Sequence, residues 1–450
     1  MSSSSNLTSG FIDLATYDEI EKYMYGGPDA TTYFVRETRR STWFTHVPVQ
    51  LSKGTGTPNF GNDFSVNISR AGDYLLNCWL RVTIPRLTAA AGQGDAGEGK
   101  RVCWTRNLGH NLIKEATLRF NDLVAAKLNH NILDFWSAFT VGASKRAAYD
   151  HMIGNDNGPQ FTAAGGTKDA FVVNVPLPFF FTRDTGVALP TAALPYNEMR
   201  IHITFNEADK LVYVLDETNA PVKAVSGTDY EAVNMAGSQV NVWGDYAIVS
   251  NEERQKMACA PRDMLIEQFQ TSNVSSLTND QNQSYDIRFS HAVKALMFAG
   301  QYGPNGQTIP SSNYTSAAPK AVGLTNDDEE AVPLELWYES GSKNPLSSVT
   351  LVYENTDRLT NMGSDYFTHV CPYYNAPNVP TETGYHLYSY SLDMGNLDPM
   401  GSTNYGKLTN VSLAPKTDVD VGPNTHKFVV VALNNNVVRV SGGALGFPVL

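Results

Sequence analysis

Residues 171–205 read FVVNVPLPFFFTRDTGVALPTAALPYNEMRIHITF, and this stretch decides the fold. Its end, from Met199 to Phe205, alternates apolar with polar side chains, which is the period of a β-strand with one solvated face. Prolines interrupt the residues before it, at Pro176, Pro178, Pro190 and Pro195. Because proline fixes φ and removes a backbone donor, this part predicts short strands and turns and not a helix. The stretch therefore predicts a corner of a β-sandwich.

The length and composition of the chain indicate a large all-β protein. With 450 residues and 49.3 kDa, it exceeds one domain core, so two domains of about 200 residues each are expected. Charged residues make up only 17%, while glycine, proline and aromatic residues are plentiful, which favours many strands and turns over disorder.

The net charge of −12 argues against direct electrostatic binding of nucleic acid or of an anionic membrane, because both need clustered Lys and Arg. One compact basic group exists, formed by Arg36, Arg39 and Arg40, with Glu37 inside it. We interpret this group as solvated surface.

The four cysteines, Cys78, Cys103, Cys259 and Cys371, show no C-x-x-C spacing, so they predict free buried thiols and neither a zinc site nor a disulfide framework. The first ten residues, MSSSSNLTSG, have no apolar region of the kind found in secretory signals. No run of 18 apolar residues occurs. These features predict synthesis and assembly in a reducing cytoplasm.

The N-terminal region predicts a flexible tail over residues 1–10 and then a short helix. A capping box from Thr16 to Glu19 begins this helix, and Gly26 ends it. Strands are expected from Thr31 onwards. Two alternating stretches, 64–68 and 76–84, predict a strand pair across a turn at Gly72.

Later in the chain, residues 133–139 and 144–152 predict two short helices inserted between strands. Ser250 predicts the start of a helix that ends near Cys259, and Pro261 predicts a second helical start. Further strands are predicted at 117–120, 241–249, 286–289, 293–298, 349–353, 385–392, 407–413, 427–433 and 437–440. This organisation predicts an N-terminal arm with a short helix at 1–30, a first jelly roll at 31–258 and a second at 259–450.

Several short motifs resemble those of enzymes, but their contexts do not fit. Gly94–Lys100 matches G-x-x-x-x-G-K, yet Arg101 replaces the Ser or Thr that would hold magnesium, and an extended segment follows where a helix is needed. Ser340–Lys343 has S-x-x-K spacing, but Asn344 and Pro345 make it a loop. The acidic run Asp327–Glu330 predicts a solvated loop tip.

The histidines form no metal-binding arrangement, and Asp150–His151 is interpreted as a surface pair. The sequence therefore predicts no catalytic, cofactor-binding or metal-binding residue and no cofactor. The apolar C-terminal residues 446–450 are expected to be covered, either by their own sandwich or by a subunit contact.

Long blocks in this order resemble the major capsid protein of large icosahedral DNA viruses, and the iridovirus version in particular. The central block is TRDTGVALPTAALPYNEMRI at 182–201, and six others cover much of the chain. They are GFIDLATYDEIEKYMYGGPDATTYFVRE (10–37), FSVNISRAGDYLLNCWLRV (64–82), RFSHAVKALMF (288–298), LVYENTDRLTNMGSDYF (351–367), LDMGNLDPMGSTNYGKLTNVSL (392–413) and GGALGFPVL (442–450).

The resemblance implies an all-β chain with two consecutive eight-stranded antiparallel jelly rolls, long inserted loops and a few short helices. It implies a structural protein and not an enzyme: a homotrimeric, pseudo-hexagonal capsomer in an icosahedral shell over an internal membrane. The implied partners are neighbouring capsomers, minor capsid and penton proteins, and the internal membrane, which the N-terminal arm would contact. Direct nucleic-acid binding is not implied. Loops near 158–168 and 305–328 are expected to be more exposed than the strands.

Two other classes of function remain open from the residues alone. A carbohydrate-binding or carbohydrate-cleaving β-sandwich would use aromatic side chains and paired carboxylates, and the chain has 22 tyrosines and 6 tryptophans. A nucleic-acid-packaging role is the third class, and the acidic net charge counts against it. A capsid subunit should form a trimer without ligand, whereas a lectin or glycosidase should act on glycans as an isolated molecule.

Overall fold

The structure is a computed structural model that describes residues 3–90, 100–155, 161–162, 165–215, 221–222, 224–235, 239–278, 283–303, 312–316, 320–322, 335–337, 343–417 and 426–448. The chain divides into two compact units, Met1–Trp43 and Phe44–Leu450.

The N-terminal unit contains helices α1 (Ser3–Ala15) and α2 (Glu19–Met24). The tail predicted over residues 1–10 is therefore wrong from Ser3 onwards. The predicted capping box is also wrong: Asp18 caps α2 by accepting from the Glu19 amide at 2.8 Å, and the Thr16 hydroxyl instead donates to the Asp13 carbonyl at 2.7 Å. No strand occurs between residues 31 and 43, so strands begin 13 positions later than expected, at Phe44.

The first half of the larger unit carries strands that lie mainly in two sheets. These strands are β1 (Phe44–Gln50), β2 (Ser52–Lys53), β3 (Asp63–Asn67), β4 (Tyr74–Ile84), β5 (Leu87–Thr88), β6 (Arg101–Trp104), β7 (Ile113–Phe120), β8 (Leu123–Leu128), β9 (Thr167–Lys168), β10 (Phe171–Pro176), β11 (Met199–Phe205), β12 (Val212–Leu215), β13 (Pro221–Val222) and β14 (Val240–Val249). The two main sheets have the orders β1-β14-β4-β10 and β2-β3-β11-β7-β8. Their buried faces share one core, which makes a sandwich.

The second half builds a second sandwich in the same way. Its strands are β15 (Arg262–Thr271), β16 (Ser275–Leu277), β17 (Tyr285–Asp286), β18 (Ala292–Tyr302), β19 (Lys320–Val322), β20 (Glu335–Trp337), β21 (Leu346–Tyr353), β22 (Thr356–Gly363), β23 (His386–Ser389), β24 (Thr403–Asn404), β25 (Val411–Thr417), β26 (His426–Ser441) and β27 (Ala444–Gly446). A seven-stranded sheet centred on β15-β26-β18-β23 faces a four-stranded sheet, β17-β25-β21-β22.

Helices connect the strands at a few places in the larger unit. They are α3 (Leu108–Leu112), α4 (His130–Thr140), α5 (Ala143–Ile153), α6 (Asn251–Cys259) and α7 (Cys371–Asn375). The two helices predicted from 133–139 and 144–152 are confirmed as α4 and α5, and the helix predicted after Ser250 is confirmed as α6. Asn129 caps α4 by accepting from the Ile132 amide at 2.9 Å.

Three local predictions are wrong because long-range pairing overrides local sequence. The stretches at 64–68 and 76–84 form β3 and β4, but these strands lie in different sheets, since the chain between them crosses the core. Pro261 begins no helix: residues 262–271 form β15, which pairs with β26 along its whole length. The two strands predicted at 427–433 and 437–440 are one strand, β26, because Asn434–Asn436 pair with β15 instead of turning.

The centre of the seven-stranded sheet, around β18, is buried on both faces, which explains the apolar sequence of this strand. In β18, Leu296 and Phe298 pack into the core of the second sandwich, whereas Ala295 and Met297 pack into the core that includes the first sandwich. A strand covered on both sides has no solvated face, so its residues do not alternate. The two sandwiches therefore share this sheet, which has one core on each of its faces.

Some residues expected to be exposed are buried. Much of the loops at 158–168 and 305–328 lies outside the described residues, but Phe161, Ser312, Asn313 and Tyr314 within them are buried. The cysteine prediction is confirmed at Cys78, Cys103 and Cys371, which are free and buried, and it is wrong at Cys259, which is exposed at the end of α6.

Candidate functional site: the joint between the sandwiches

The central block of the sequence forms the joint between the two sandwiches. After β10 the chain makes three single 3₁₀ turns, at Phe180–Thr182, Thr185–Val187 and Thr191–Ala193, before it enters β11. The prolines lack the backbone N–H donors that a helix needs, so the chain turns here. The buried Phe179–Phe181 run supplies apolar side chains to the core. The turns contact β4 on one side and β15 on the other.

A buried charge cluster joins the block to the second sandwich. The Arg183 guanidinium donates to Glu267 Oε2 at 2.7 Å, and Lys294 Nζ donates to Glu267 Oε1 at 2.6 Å. Lys294 also donates to the Asn396 carbonyl, and Arg183 lies 4.1 Å from the ring centre of Trp136. Lys294 and Glu267 are almost completely buried, so their ion pair offsets part of the cost of removing both groups from water.

The same block holds the C-terminal hairpin of the second sandwich. Asn197 Oδ1 accepts from the Leu445 amide at 3.1 Å, and Pro195 and Tyr196 pack against Gly443 in the turn between β26 and β27. Leu445 is buried, and Phe447 packs against the core. Of the C-terminal residues expected to be covered, Gly446 and Phe447 are half-buried by the chain's own fold, Pro448 is exposed, and 449 and 450 lie outside the described residues.

Arg70 fixes the backbone of the block from the other side. Its guanidinium donates to the carbonyls of Leu194 at 2.7 Å and Asn197 at 2.7 Å, with a longer contact to Pro195 at 3.2 Å. Because this segment has no sheet partners of its own, these side-chain donors take the place of ladder hydrogen bonds. The arrangement positions the block; it holds no group poised for chemistry.

A second polar network lies inside the protein and was not predicted from the sequence. His110 Nδ1 lies 2.6 Å from Asp134 Oδ1, and His110 Nε2 lies 2.6 Å from the Tyr149 hydroxyl. Ser312 donates to Asp134 Oδ2 at 2.6 Å. Burial alone would raise the pKa of Asp134, but the hydrogen bonds from His110 and Ser312 hold that pKa below its usual value.

This network resembles a catalytic relay in its order of groups, but His110, Asp134 and Ser312 are buried, and only Tyr149 is half-exposed. Burial raises the pKa of Tyr149, so its hydroxyl stays protonated. The groups lie on α3, α4 and α5 and on the buried segment at 312, which are far apart in sequence. We interpret the network as the polar core that holds these helices together.

The enzyme-like motifs do not assemble into a site. Lys100 forms an ion pair with Asp229, and strand β6 follows it as expected, while residues 94–99 lie outside the described residues. Residues 327–330 and 340–342 lie outside them as well. Asp150 pairs with Arg146 at 3.1 Å on α5. Within the described part of the chain, no group of three or more His, Cys, Asp or Glu side chains could hold a metal ion.

The larger unit exposes a few large apolar side chains that an assembly contact would cover. Tyr196 is 77% exposed beside the joint, and Tyr373, Tyr374 and Leu392 are each more than 70% exposed in the second sandwich. Exposed aromatic residues of this kind are typical of interface hot spots. None of the described helices is long and apolar enough to span a membrane.

Two family models match consecutive parts of the chain. The model described as the major capsid protein N-terminus matches residues 32–249, and the model described as the large eukaryotic DNA virus major capsid protein matches residues 253–446.

Full-length relatives agree with these models. The major capsid protein of Costelytra zealandica iridescent virus is 52% identical, with coverage of 100% of this chain and 99% of that protein. That of Invertebrate iridescent virus 6 is 51% identical over 100% of this chain and 99% of that protein, and that of Lymphocystis disease virus 1 is 44% identical over 99% of each.

Solved structures show the same fold at low sequence identity. PBCV-1 VP54, fitted into a reconstruction of the virophage Sputnik, superposes with a TM-score of 0.72 at 23% identity, covering 93% of this chain and 100% of that one. The Faustovirus major capsid protein gives a TM-score of 0.73 at 11% identity, covering 94% of each chain.

Two consecutive sandwiches joined through a buried block give this chain the double jelly-roll fold of these solved structures. The chain belongs to the major capsid protein family of large eukaryotic DNA viruses, and the relatives named above are iridovirus proteins. This family is structural and not enzymatic.

Proposed function

We propose that the chain is the shell-forming subunit of an icosahedral virion and that three copies form a pseudo-hexagonal capsomer. The observation that carries the proposal is the presence of two successive sandwiches in a chain of this family. Three such chains supply six similar sandwiches, so a trimer can occupy a six-fold lattice position. Exposed aromatic side chains such as Tyr373 and Tyr374 support burial between copies.

The domain limits belong to the same proposal. An arm at 1–30, a first jelly roll at 31–258 and a second at 259–450 are supported by the limits of the two family matches, 32–249 and 253–446. Helix α6 lies between the last strand of the first sandwich and the first strand of the second. Its residues are exposed or half-buried, as expected of a connection between two cores.

The partners follow from the family and from the N-terminal unit. Neighbouring capsomers, minor capsid proteins and penton proteins would contact the outer surfaces of the trimer. The arm would contact the internal membrane, which is supported by exposed apolar side chains on α1 and α2, among them Phe11, Leu14 and Tyr23. Assembly in the host cytoplasm is supported by the exposed free thiol of Cys259, which a reducing compartment preserves.

The test is the mass of the purified soluble protein, measured by size exclusion with light scattering. Three chains of 49.3 kDa predict about 148 kDa. A stable monomer that binds or cleaves members of a glycan panel would contradict the proposal and favour the carbohydrate-specific class. A trimer that neither binds nor cleaves any glycan of the panel supports the proposal that the chain forms a capsomer.

A further inference from the structure

A cleft of about 520 Å³ lies between the two sandwiches, and no function considered so far uses it. Strand β8 of the first sandwich forms one wall, and strand β15 of the second forms the other. One direct hydrogen bond crosses the cleft, from Gln268 Nε2 to the Ala125 carbonyl at 2.8 Å. Phe447 of the C-terminal segment also lines it.

Both walls are edge strands. β8 is the last strand of the five-stranded sheet, and β15 is the first strand of its sheet. Among the described residues, no strand pairs with the outer side of either, although β15 has ten residues. An edge strand presents backbone donors and acceptors that can pair with an added extended segment.

The charge in the cleft contrasts with that of the whole chain. Lys127 on β8 and Arg288 on the opposite side are exposed, and no described carboxylate forms an ion pair with either of them. Glu115 is the single acidic residue in the lining. In a chain with a net charge of −12, two unpaired cations at one cleft favour an anionic occupant.

An unpaired amide lies under the same wall. Asn434 is completely buried, and neither its side-chain oxygen nor its nitrogen has a hydrogen-bond partner among the described residues. It is paired across the sheet with Gln268, so the two side chains share one sheet face, and Gln268 lines the cleft. A buried amide without partners costs stability.

We propose that this cleft binds an extended peptide segment that carries acidic side chains and belongs to another protein. The open edges of β8 and β15 pair with the backbone of the segment. Lys127 and Arg288 bind its carboxylates, and the apolar lining, including Phe269 and Phe289, takes the alternate side chains.

The experiment uses the full chain as the purified capsomer and a fluorescein-labelled, acetylated octapeptide of alternating Val and Asp. Fluorescence anisotropy gives its Kd for the wild type and for the double variant Lys127→Glu/Arg288→Glu. The matched control is Lys53→Glu/Lys407→Glu, which makes the same charge change at two exposed lysines outside the cleft. Two control peptides isolate the contributions of side-chain charge and of backbone hydrogen bonding. One alternates Val with Lys, and the other keeps Val and Asp but has N-methylated backbone amides.

We expect saturable binding of the Val-Asp peptide, weakened at least about tenfold by the cleft variant and unchanged by the control variant. The Val-Lys peptide and the N-methylated peptide should each bind at least about tenfold more weakly. Equal binding to wild type and cleft variant, or no binding to wild type, would overturn the proposal. Equal binding of the N-methylated peptide would also overturn it, since strand pairing would then play no part. Light scattering of every variant shows whether the capsomer itself has formed, so failure of the cleft is separable from failure of assembly.

Discussion

The buried side chain of Glu267 is expected to have a large effect on the stability of the protein. Its carboxylate is almost completely buried and receives both Lys294 and Arg183, which come from different sandwiches. If the negative charge of the carboxylate were removed, Lys294 would remain a buried cation with only neutral acceptors such as the Asn396 carbonyl. Breaking a buried pair costs more than the pair contributes, because the remaining charge cannot reach water.

We therefore expect Glu267→Gln to lower the free energy of unfolding by about 3–5 kcal/mol, measured by urea denaturation. Asp263→Asn is the matched control, since Asp263 lies on the same strand and binds Arg439 at 2.7 Å while both side chains are more than half exposed. This control should change the stability little, because exposed ion pairs contribute little. Equal effects of the two substitutions would show that the buried cluster is not a determinant of stability.

Among the structural elements, the hairpin between β26 and β27 depends most closely on the central block. Gly442 and Gly443 both have positive φ, at 60° and 81°, so any side chain there strains the backbone. They differ in the room available to a side chain. A Cβ at Gly443 would lie 2.8 Å from the Tyr196 ring, whereas nothing lies within 4 Å of a Cβ at Gly442. Substitutions at these two glycines therefore separate the cost of backbone strain from the cost of altered packing at the joint.

We expect Gly442→Ala to lower the free energy of unfolding by about 1 kcal/mol through strain alone. Gly443→Ala should cost a further ~1–3 kcal/mol, because Pro195 and Tyr196 must move away from the hairpin. Thermal unfolding of both variants at one protein concentration measures the difference. If the two glycines prove equally sensitive, the block does not hold the hairpin.

The elements that could be predicted from the sequence are those with a one-sided environment. β11 alternates because one face is solvated, and α4 and α5 have helical periodicity. β15 and β26 could not be predicted fully, because their continuous pairing spans more than 150 residues of sequence separation and overrides Pro261 and the Asn434–Asn436 run. The serines in residues 3–10 favoured the prediction of a flexible tail, but these residues lie within α1.

For the candidate site, the sequence predicted that residues 171–205 decide the fold, but not that part of this stretch joins the two sandwiches. No local pattern shows that Arg183 meets Glu267, or that Asn197 meets Leu445, since each pair joins distant segments. The buried network of His110, Asp134 and Ser312 was missed for the same reason. Ser312 lies in a loop expected to be exposed, but it is buried and contacts Asn111 of α3 and Asp134 of α4.

The larger unit as a whole should unfold in one step, because its two sandwiches share the seven-stranded sheet. One face of that sheet belongs to the core of the second sandwich, and the other belongs to the core that includes the first. Loss of either sandwich would expose apolar surface of the other, so partial unfolding is costly. We expect differential scanning calorimetry of the capsomer to show a single transition for this unit.

Two core truncations test this coupling. Ile203→Ala removes side-chain volume in the first sandwich, and Leu351→Ala does so in the second; both residues are almost completely buried. Each should cost about 2–5 kcal/mol and shift the same transition to lower temperature, at a protein concentration held fixed because the subunits associate. Two transitions, each moved by only one of the substitutions, would show that the shared sheet does not couple the sandwiches. In that case the joint at 182–201 would act as a tether between independent domains, and Glu267→Gln should then loosen their contact without lowering the stability of either.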